Sequence, residues 1–74
     1  MVRISNIKHE GEIISFDGIG DGVEKFYMKF NILTGENLES TTENMMYLSE
    51  AKFKILSYLA DHDEFPNELV AMSF

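Results

Sequence analysis

Hydrophobic and polar residues alternate most regularly over residues 25–33, where Phe26, Met28, Phe30 and Ile32 occupy every second position. A two-residue period is typical of a β-strand with one buried face, because successive side chains point to opposite sides. This segment therefore predicts the central strand of a sheet, with its polar positions on the other face.

A β-hairpin is predicted before this strand, from residues 2–8 and 12–17 joined by a turn at residues 10–11. Ile4 and Ile7 are separated by an odd number of positions, so one regular strand cannot place both on the same face. The first strand needs a bulge or an early start, and its register stays open.

Residues 17–22 are the most glycine-rich part of the chain and separate two strand-like segments. Glycine adopts positive φ without steric cost, so the segment predicts a connecting turn. A phosphate loop is not indicated, because a strand follows and two aspartates lie within the segment. An EF-hand loop is excluded, since Ile19 and Met28 would occupy ligand positions.

A turn at residues 34–37 is predicted to reverse the central strand. With Gly35 as the first central residue, a two-residue type II′ turn sets Leu33 opposite Leu38, on the face of Tyr27. Tyr27, Leu33 and Leu38 then form a part-exposed apolar patch that could contact another protein. Two alternatives stay open, namely that neighbouring side chains cover this patch or that a longer turn returns Leu38 to the core.

Residues 38–43 are polar and β-branched, which favours an edge strand that does not recruit other chains. A helix is predicted next, over residues 45–62, from an apolar stripe with helical spacing. The stripe consists of Leu48, Ala51, Ile55, Leu56 and Leu59.

The start of this helix has alternative interpretations. Ser40 and Glu43 fit a capping box, whereas Ser49 fits an N-cap with a hydrophobic staple between Leu48 and Phe53. A start near Glu43 is favoured, because Met45 continues the apolar stripe.

Pro66 begins a last segment, residues 67–74, that predicts one or two helical turns. Together these elements predict one α+β domain over residues 1–74. Its antiparallel sheet of three or four strands is covered on one face by a C-terminal helix and a short terminal helical segment.

Composition places this domain among small folded proteins of a reducing compartment. Of 74 residues, 45% are hydrophobic and none is cysteine, which excludes disulfides, thiolate zinc sites and cysteine nucleophiles. The first ten residues lack the apolar stretch of a signal peptide, and no apolar run is long enough to span a membrane. We therefore expect a cytoplasmic protein that does not associate with membranes.

The net charge of −7 disfavours binding to nucleic acids and anionic lipids. The acidic residues are scattered along the chain without a block of like charge, which favours a role in solubility.

Candidate chemistry is sparse. His9 lies beside Glu10, and His62 lies among Asp61, Asp63 and Glu64, but consecutive residues at a helix end point to different sides and do not form a metal site. No serine has a nucleophile motif, and no pair of carboxylates is marked as catalytic. The sequence thus predicts no enzyme activity, no metal, no cofactor and no small-molecule substrate.

The leading functional hypothesis is a non-enzymatic protein-interaction module that acts through Tyr27, Leu33 and Leu38 and pairs with a protein partner or with itself. The alternative is an acidic inhibitor or immunity-type protein that neutralises a basic protein.

Overall fold

The computed structural model describes residues 1–72, which form five strands and one helix. The strands are β1 (Val2–Glu10), β2 (Ile13–Gly20), β3 (Glu24–Asn31), β4 (Asn37–Ser40) and β5 (Glu68–Ala71), and the helix α1 spans Met45–Asp61. All pairings are antiparallel, in the order β4-β3-β2-β1-β5. The α+β class is confirmed, whereas the expected three or four strands are corrected to five.

The predicted terminal helical segment is wrong, because residues 68–71 form strand β5. This strand pairs with β1 from Val2 opposite Ala71 to Ser5 opposite Glu68. Leu69 and Ala71 are buried at alternate positions, as expected for a strand. The pairing also provides hydrogen-bond partners for the backbone N–H and C=O groups at the edge of β1. Residues 73–74 of the predicted segment lie outside the described residues.

The core lies between α1 and one face of the sheet. Phe26, Met28 and Phe30 on β3 are buried, which confirms the two-residue period of the central segment. The remaining core residues are Val2, Ile4, Ile14, Phe16, Leu48, Ala51, Ile55, Leu69 and Ala71. Three members of the predicted helical stripe, Leu48, Ala51 and Ile55, thus join the core.

Strand β1 contains the irregularity that its two isoleucines require. Its register against β2 shifts between Ser5 and Lys8, and Asn6 adopts a φ of 51°. The Asn6 amide Nδ2 donates a hydrogen bond of 2.8 Å to Asp17 Oδ2 on β2. This β-bulge buries Ile4 and lets Ile7 pack against the core.

The glycine-rich segment is mostly strand and not a turn, which corrects the prediction for residues 17–22. Strand β2 continues to Gly20, and the turn begins only at Asp21. The rings of Phe26 and Tyr47 occupy the space where Cβ atoms at Gly18 and Gly20 would lie. The glycines therefore make room for aromatic side chains of other elements.

The loop between β3 and β4 is longer than the predicted two-residue turn. Phe30 pairs with Asn37, so Leu33 does not lie opposite Leu38. The Asn31 side chain explains the difference, because its Oδ1 accepts hydrogen bonds from the amides of Leu33 (2.8 Å) and Thr34 (3.0 Å). These bonds, with those between the backbone of Asn31 and residues 35–36, fix a wider reversal.

Strand β4 is an edge strand that overlaps the predicted residues 38–43, but it begins one residue earlier, at Asn37, and ends at Ser40. The Ser40 hydroxyl donates a hydrogen bond of 2.6 Å to the carbonyl of Thr42, so it does not act as a helix cap. A shift in register between Lys29 and Phe30 bulges this edge.

Helix α1 begins at Met45, close to the favoured start near Glu43, but with a different cap. Asn44 Oδ1 accepts hydrogen bonds from the amides of Met46 (3.1 Å) and Tyr47 (3.3 Å). Within residues 1–72, no helix combines the length and the apolar character needed to cross a membrane.

Candidate functional site

The three residues predicted as a protein contact come from three different elements. Tyr27 is half-buried on the face of β3 opposite α1, where its amide donates to Thr41 Oγ1 at 2.8 Å. Leu33 lies in the loop after β3 and is 75% exposed, and Leu38 lies in the bulged edge strand β4 and is 45% exposed. Their joint role in a protein contact stays a prediction.

Tyr27 belongs to a polar depression of about 390 Å³ on the face of the sheet that is opposite α1, which we call the open face. The depression is lined by Asn6, Lys8, Glu10, Ile13, Ser15, Asp17, Tyr27 and Lys29. Ser15 pairs with Lys8 on β1 and with Lys29 on β3, so a lysine residue flanks it on each side. Two carboxylates in the same lining balance these charges, which makes the surface polar and electrically neutral.

A larger, apolar groove runs between α1 and β5, with a volume of about 860 Å³. This α1–β5 groove is lined by Met45, Met46, Ser49, Glu50, Phe53, Lys54, Ser57, Val70, Ala71 and Met72. Most lining residues of α1 fall one or two turns apart, so they form a second ridge beside the buried stripe.

Four large apolar side chains are exposed in the α1–β5 groove. Met45, Met46, Phe53 and Met72 each expose between 61% and 69% of their surface. At about 200 Å² for a large side chain, they present on the order of 500 Å² of apolar area. This area is comparable to the largest apolar patch of a typical monomer, which is often a functional surface, so the groove is a candidate binding site.

The charges of the groove are nearly balanced although the chain carries a net charge of −7. Its carboxylate, Glu50, lies 3.7 Å from the α-amino group of Met1, and its ammonium group belongs to Lys54. The basic residues Arg3, Lys8, Lys25 and Lys29 alternate with buried positions and so lie on the open face of the sheet. The groove is therefore a surface on which another acidic chain meets little repulsion.

The groove also contains a strand edge. Over the described residues, β5 pairs with β1 on one side only, so backbone donors and acceptors of Glu68–Ala71 face away from the sheet. An edge of this kind can pair with a strand of another chain.

A separate polar cluster links the beginning of β1 to α1. Asp21 accepts hydrogen bonds from the Met1 ammonium group at 2.9 Å and from the Tyr47 hydroxyl at 2.8 Å. The bond from the ammonium group is the main cause that lowers the pKa of Asp21, and the Tyr47 bond adds to it. The same two bonds raise the pKa values of the Met1 amine and of Tyr47.

Replacing Asp21 with asparagine is expected to remove a pH-dependent contribution to stability. The lowered pKa of Asp21 means that its carboxylate stabilises the fold above its ordinary value of 3.8, and that this stabilisation is lost as the pH falls through the folded-state pKa. The raised pKa values of Met1 and Tyr47 give stabilisation that is present below 8.0 and 10.0, respectively, and is lost as the pH rises through the folded-state values.

The difference in free energy of unfolding between wild type and Asp21→Asn should thus be largest near neutral pH and shrink in acid. Urea unfolding at a series of pH values measures this difference. Asp63→Asn removes the same charge beyond the other end of α1 and controls for net charge. A difference that stays constant from neutral pH into strong acid would contradict the arrangement.

The two histidines lie at opposite ends of a series of aromatic ring contacts. His62 stacks on Tyr58 with centroids 3.9 Å apart, and Phe65 lies 5.7 Å from Tyr58 and 6.2 Å from His9. Among residues 1–72, no group of three or more histidine, aspartate or glutamate side chains is arranged to hold a metal ion.

Sequence reasoning missed the α1–β5 groove. Met45 was expected in the core but is exposed, and Phe53 was considered only as part of a possible helix cap. The available signal was the spacing of Met46 and Phe53, which is seven residues, or two helical turns. The contribution of Met72 required knowledge that β5 is a strand.

Comparison of the chain with protein-family models, with curated proteins and with solved structures found no match.

Proposed function

We propose that this chain is a small, cytoplasmic, non-enzymatic protein-interaction module that associates with a second copy of itself through the α1–β5 groove. The observation that carries this proposal is the exposure of four large apolar side chains beside the edge of β5, which within residues 1–72 pairs with β1 alone. The groove has a volume of about 860 Å³, whereas the depression that contains Tyr27 has a volume of about 390 Å³.

The area of the groove supports a dimer. Stable interfaces bury about 800 Å² on each partner. The exposed apolar side chains alone provide more than half of this area, and the strand edge with its flanking polar groups adds to it.

The shape and charge of the groove favour a second copy as the occupant. Phe53 lies one helical turn from Ser49 and one turn from Ser57, so a large side chain is flanked by two small ones. A second helix in the opposite direction can place its own Phe53 over these serines, which makes the surface self-complementary. Glu50 already faces the Met1 ammonium group, so two acidic chains can meet here with little repulsion.

Size-exclusion chromatography with light scattering tests the proposal, over a concentration series and at two salt concentrations. We expect twice the mass of one chain at high concentration in both salts, because an apolar contact is insensitive to screening. Phe53→Glu should weaken the dimer by a factor on the order of 100, because twofold symmetry places the two new charges close together in an apolar contact.

Leu33→Glu is the matched control, since it introduces the same charge at an exposed leucine outside the groove. It should leave the dimer intact. Dissociation by Leu33→Glu and not by Phe53→Glu would assign the contact to the surface around Tyr27, Leu33 and Leu38. A monomer at all concentrations would overturn the proposal.

The acidic inhibitor is the second candidate. The placement of four of the six basic residues on the open sheet face favours it, because the acidic surplus then lies on the other surfaces. This function predicts a monomer whose binding to a purified basic protein weakens strongly as salt is raised.

A further inference from the structure

We infer that the two copies join through antiparallel pairing of β5 with β5 of the second copy, which extends the two sheets into one continuous ten-stranded sheet. This inference rests on the proposed self-association and specifies its geometry.

The two edges of the sheet differ in their readiness to pair. The edge at β4 is bulged, and its four residues include Glu39 and two further polar side chains. Bulges and charges are the features by which edge strands avoid pairing with other chains. The edge at β5 has neither protection in its last three residues, since Leu69, Val70 and Ala71 are apolar and pair with β1 in unbroken register.

The position of α1 makes strand pairing and groove burial compatible. Helix α1 lies against β1 and β5, so its exposed ridge faces the β5 edge. A twofold axis perpendicular to the sheet keeps both helices on the same face and makes them antiparallel. The ridge that contains Phe53 then meets its symmetry mate as the strand edges pair, and the apolar side chains of the groove are buried in the same step.

Symmetry also restricts the register. Residues that pair directly in an antiparallel ladder point to the same face of the sheet. Because the axis preserves the faces, a residue of β5 can pair only with a residue that is an even number of positions away, or with itself. One residue of β5 must therefore lie opposite its own copy if the axis passes through the strand.

Single-cysteine variants test this geometry, because the chain contains no cysteine and each variant has one thiol. Glu68→Cys, Val70→Cys and Met72→Cys lie at alternate positions along β5 and just beyond it. Every register centred on β5 brings two of these positions opposite each other, at a Cα separation of about 4.5–5.5 Å, which a disulfide can bridge. The variants are oxidised alone and in pairwise mixtures.

At least one combination should cross-link about tenfold faster or more than Glu39→Cys, the matched control in the other four-residue edge strand. The rate should fall to that of the control in the Phe53→Glu background. Hydrogen exchange provides a second measurement, since the outward amides of Glu68–Ala71 should gain protection as the protein concentration rises.

The outcomes separate the two proposals. A dimer by mass whose β5 cysteines react no faster than Glu39→Cys would overturn strand pairing and retain self-association through α1. A monomer by mass would overturn both. A dimer with rapid cross-linking and protected β5 amides would support both.

Discussion

Replacing Phe16 with alanine is expected to lower the free energy of unfolding by roughly 3–5 kcal/mol. Phe16 is buried on β2, the middle strand of the sheet, where its ring packs edge-on against Phe26 with centroids 6.2 Å apart. A domain of this size has little stability to lose, since whole domains are stabilised by about 5–15 kcal/mol. Urea unfolding followed by circular dichroism should find a variant that is largely unfolded or unfolds at low urea.

Phe53→Ala is the matched control, because it makes the same substitution at an exposed phenylalanine. Measured at concentrations where the chain is monomeric, it should change the free energy of unfolding by less than about 0.5 kcal/mol. Equal losses from the two substitutions would mean that Phe53 is a core residue, and the α1–β5 groove would then not exist as a surface.

Gly18→Ala is expected to lower the free energy of unfolding by roughly 1–3 kcal/mol, although it adds only one methyl group. A Cβ at Gly18 would overlap the ring of Phe26, which is itself held between Phe16 and a parallel Tyr47 ring 6.1 Å away. The ring cannot move without disturbing the contact between β3 and α1. Urea unfolding of Gly18→Ala measures the loss.

A double-mutant cycle isolates this steric cause. Phe26→Leu shortens the side chain above Gly18, so Gly18→Ala should cost less in that background than in the wild type. Equal costs in both backgrounds would show that the overlap with Phe26 is not the reason for glycine at this position. The loss would then reflect the conformation of β2 itself.

Sequence patterns predicted the structure correctly where a single element determined its own conformation. The alternation of Phe26, Met28 and Phe30 identified β3, and the spacing of Leu48 and Ile55 identified α1. In both elements, a periodic set of apolar side chains is buried against a single surface, so the local pattern and the tertiary structure agree.

Patterns failed where distant residues determined the structure. Residues 68–71, which follow Pro66, form a segment of only four residues, and its periodicity cannot distinguish a helical turn from a strand. These residues are extended because they pair with the edge of β1 that would otherwise be unpaired. Likewise, the glycine-rich sequence around Gly18 and Gly20 resembles a turn. Glycine is needed there because rings from β3 and α1 occupy the space of a Cβ atom, and those rings lie outside the segment. Such information is absent from any short window of sequence.

The candidate site was missed for the same reason. The α1–β5 groove combines a ridge of α1 with the edge of a strand that the sequence did not reveal. The predicted contact at Tyr27, Leu33 and Leu38 depended on a two-residue turn, and the hydrogen bonds of the Asn31 side chain replace that turn with a wider loop.

The pairing of β1 with β5 also constrains the order in which the chain can fold. Strands β1 to β4 follow one another and pair as neighbours, so they require only short loops to close. The ladder between β1 and β5 instead joins Val2 to Ala71, which is a slow closure across almost the whole sequence. During synthesis, the edge of β1 therefore stays unpaired until residues 68–71 have left the ribosome.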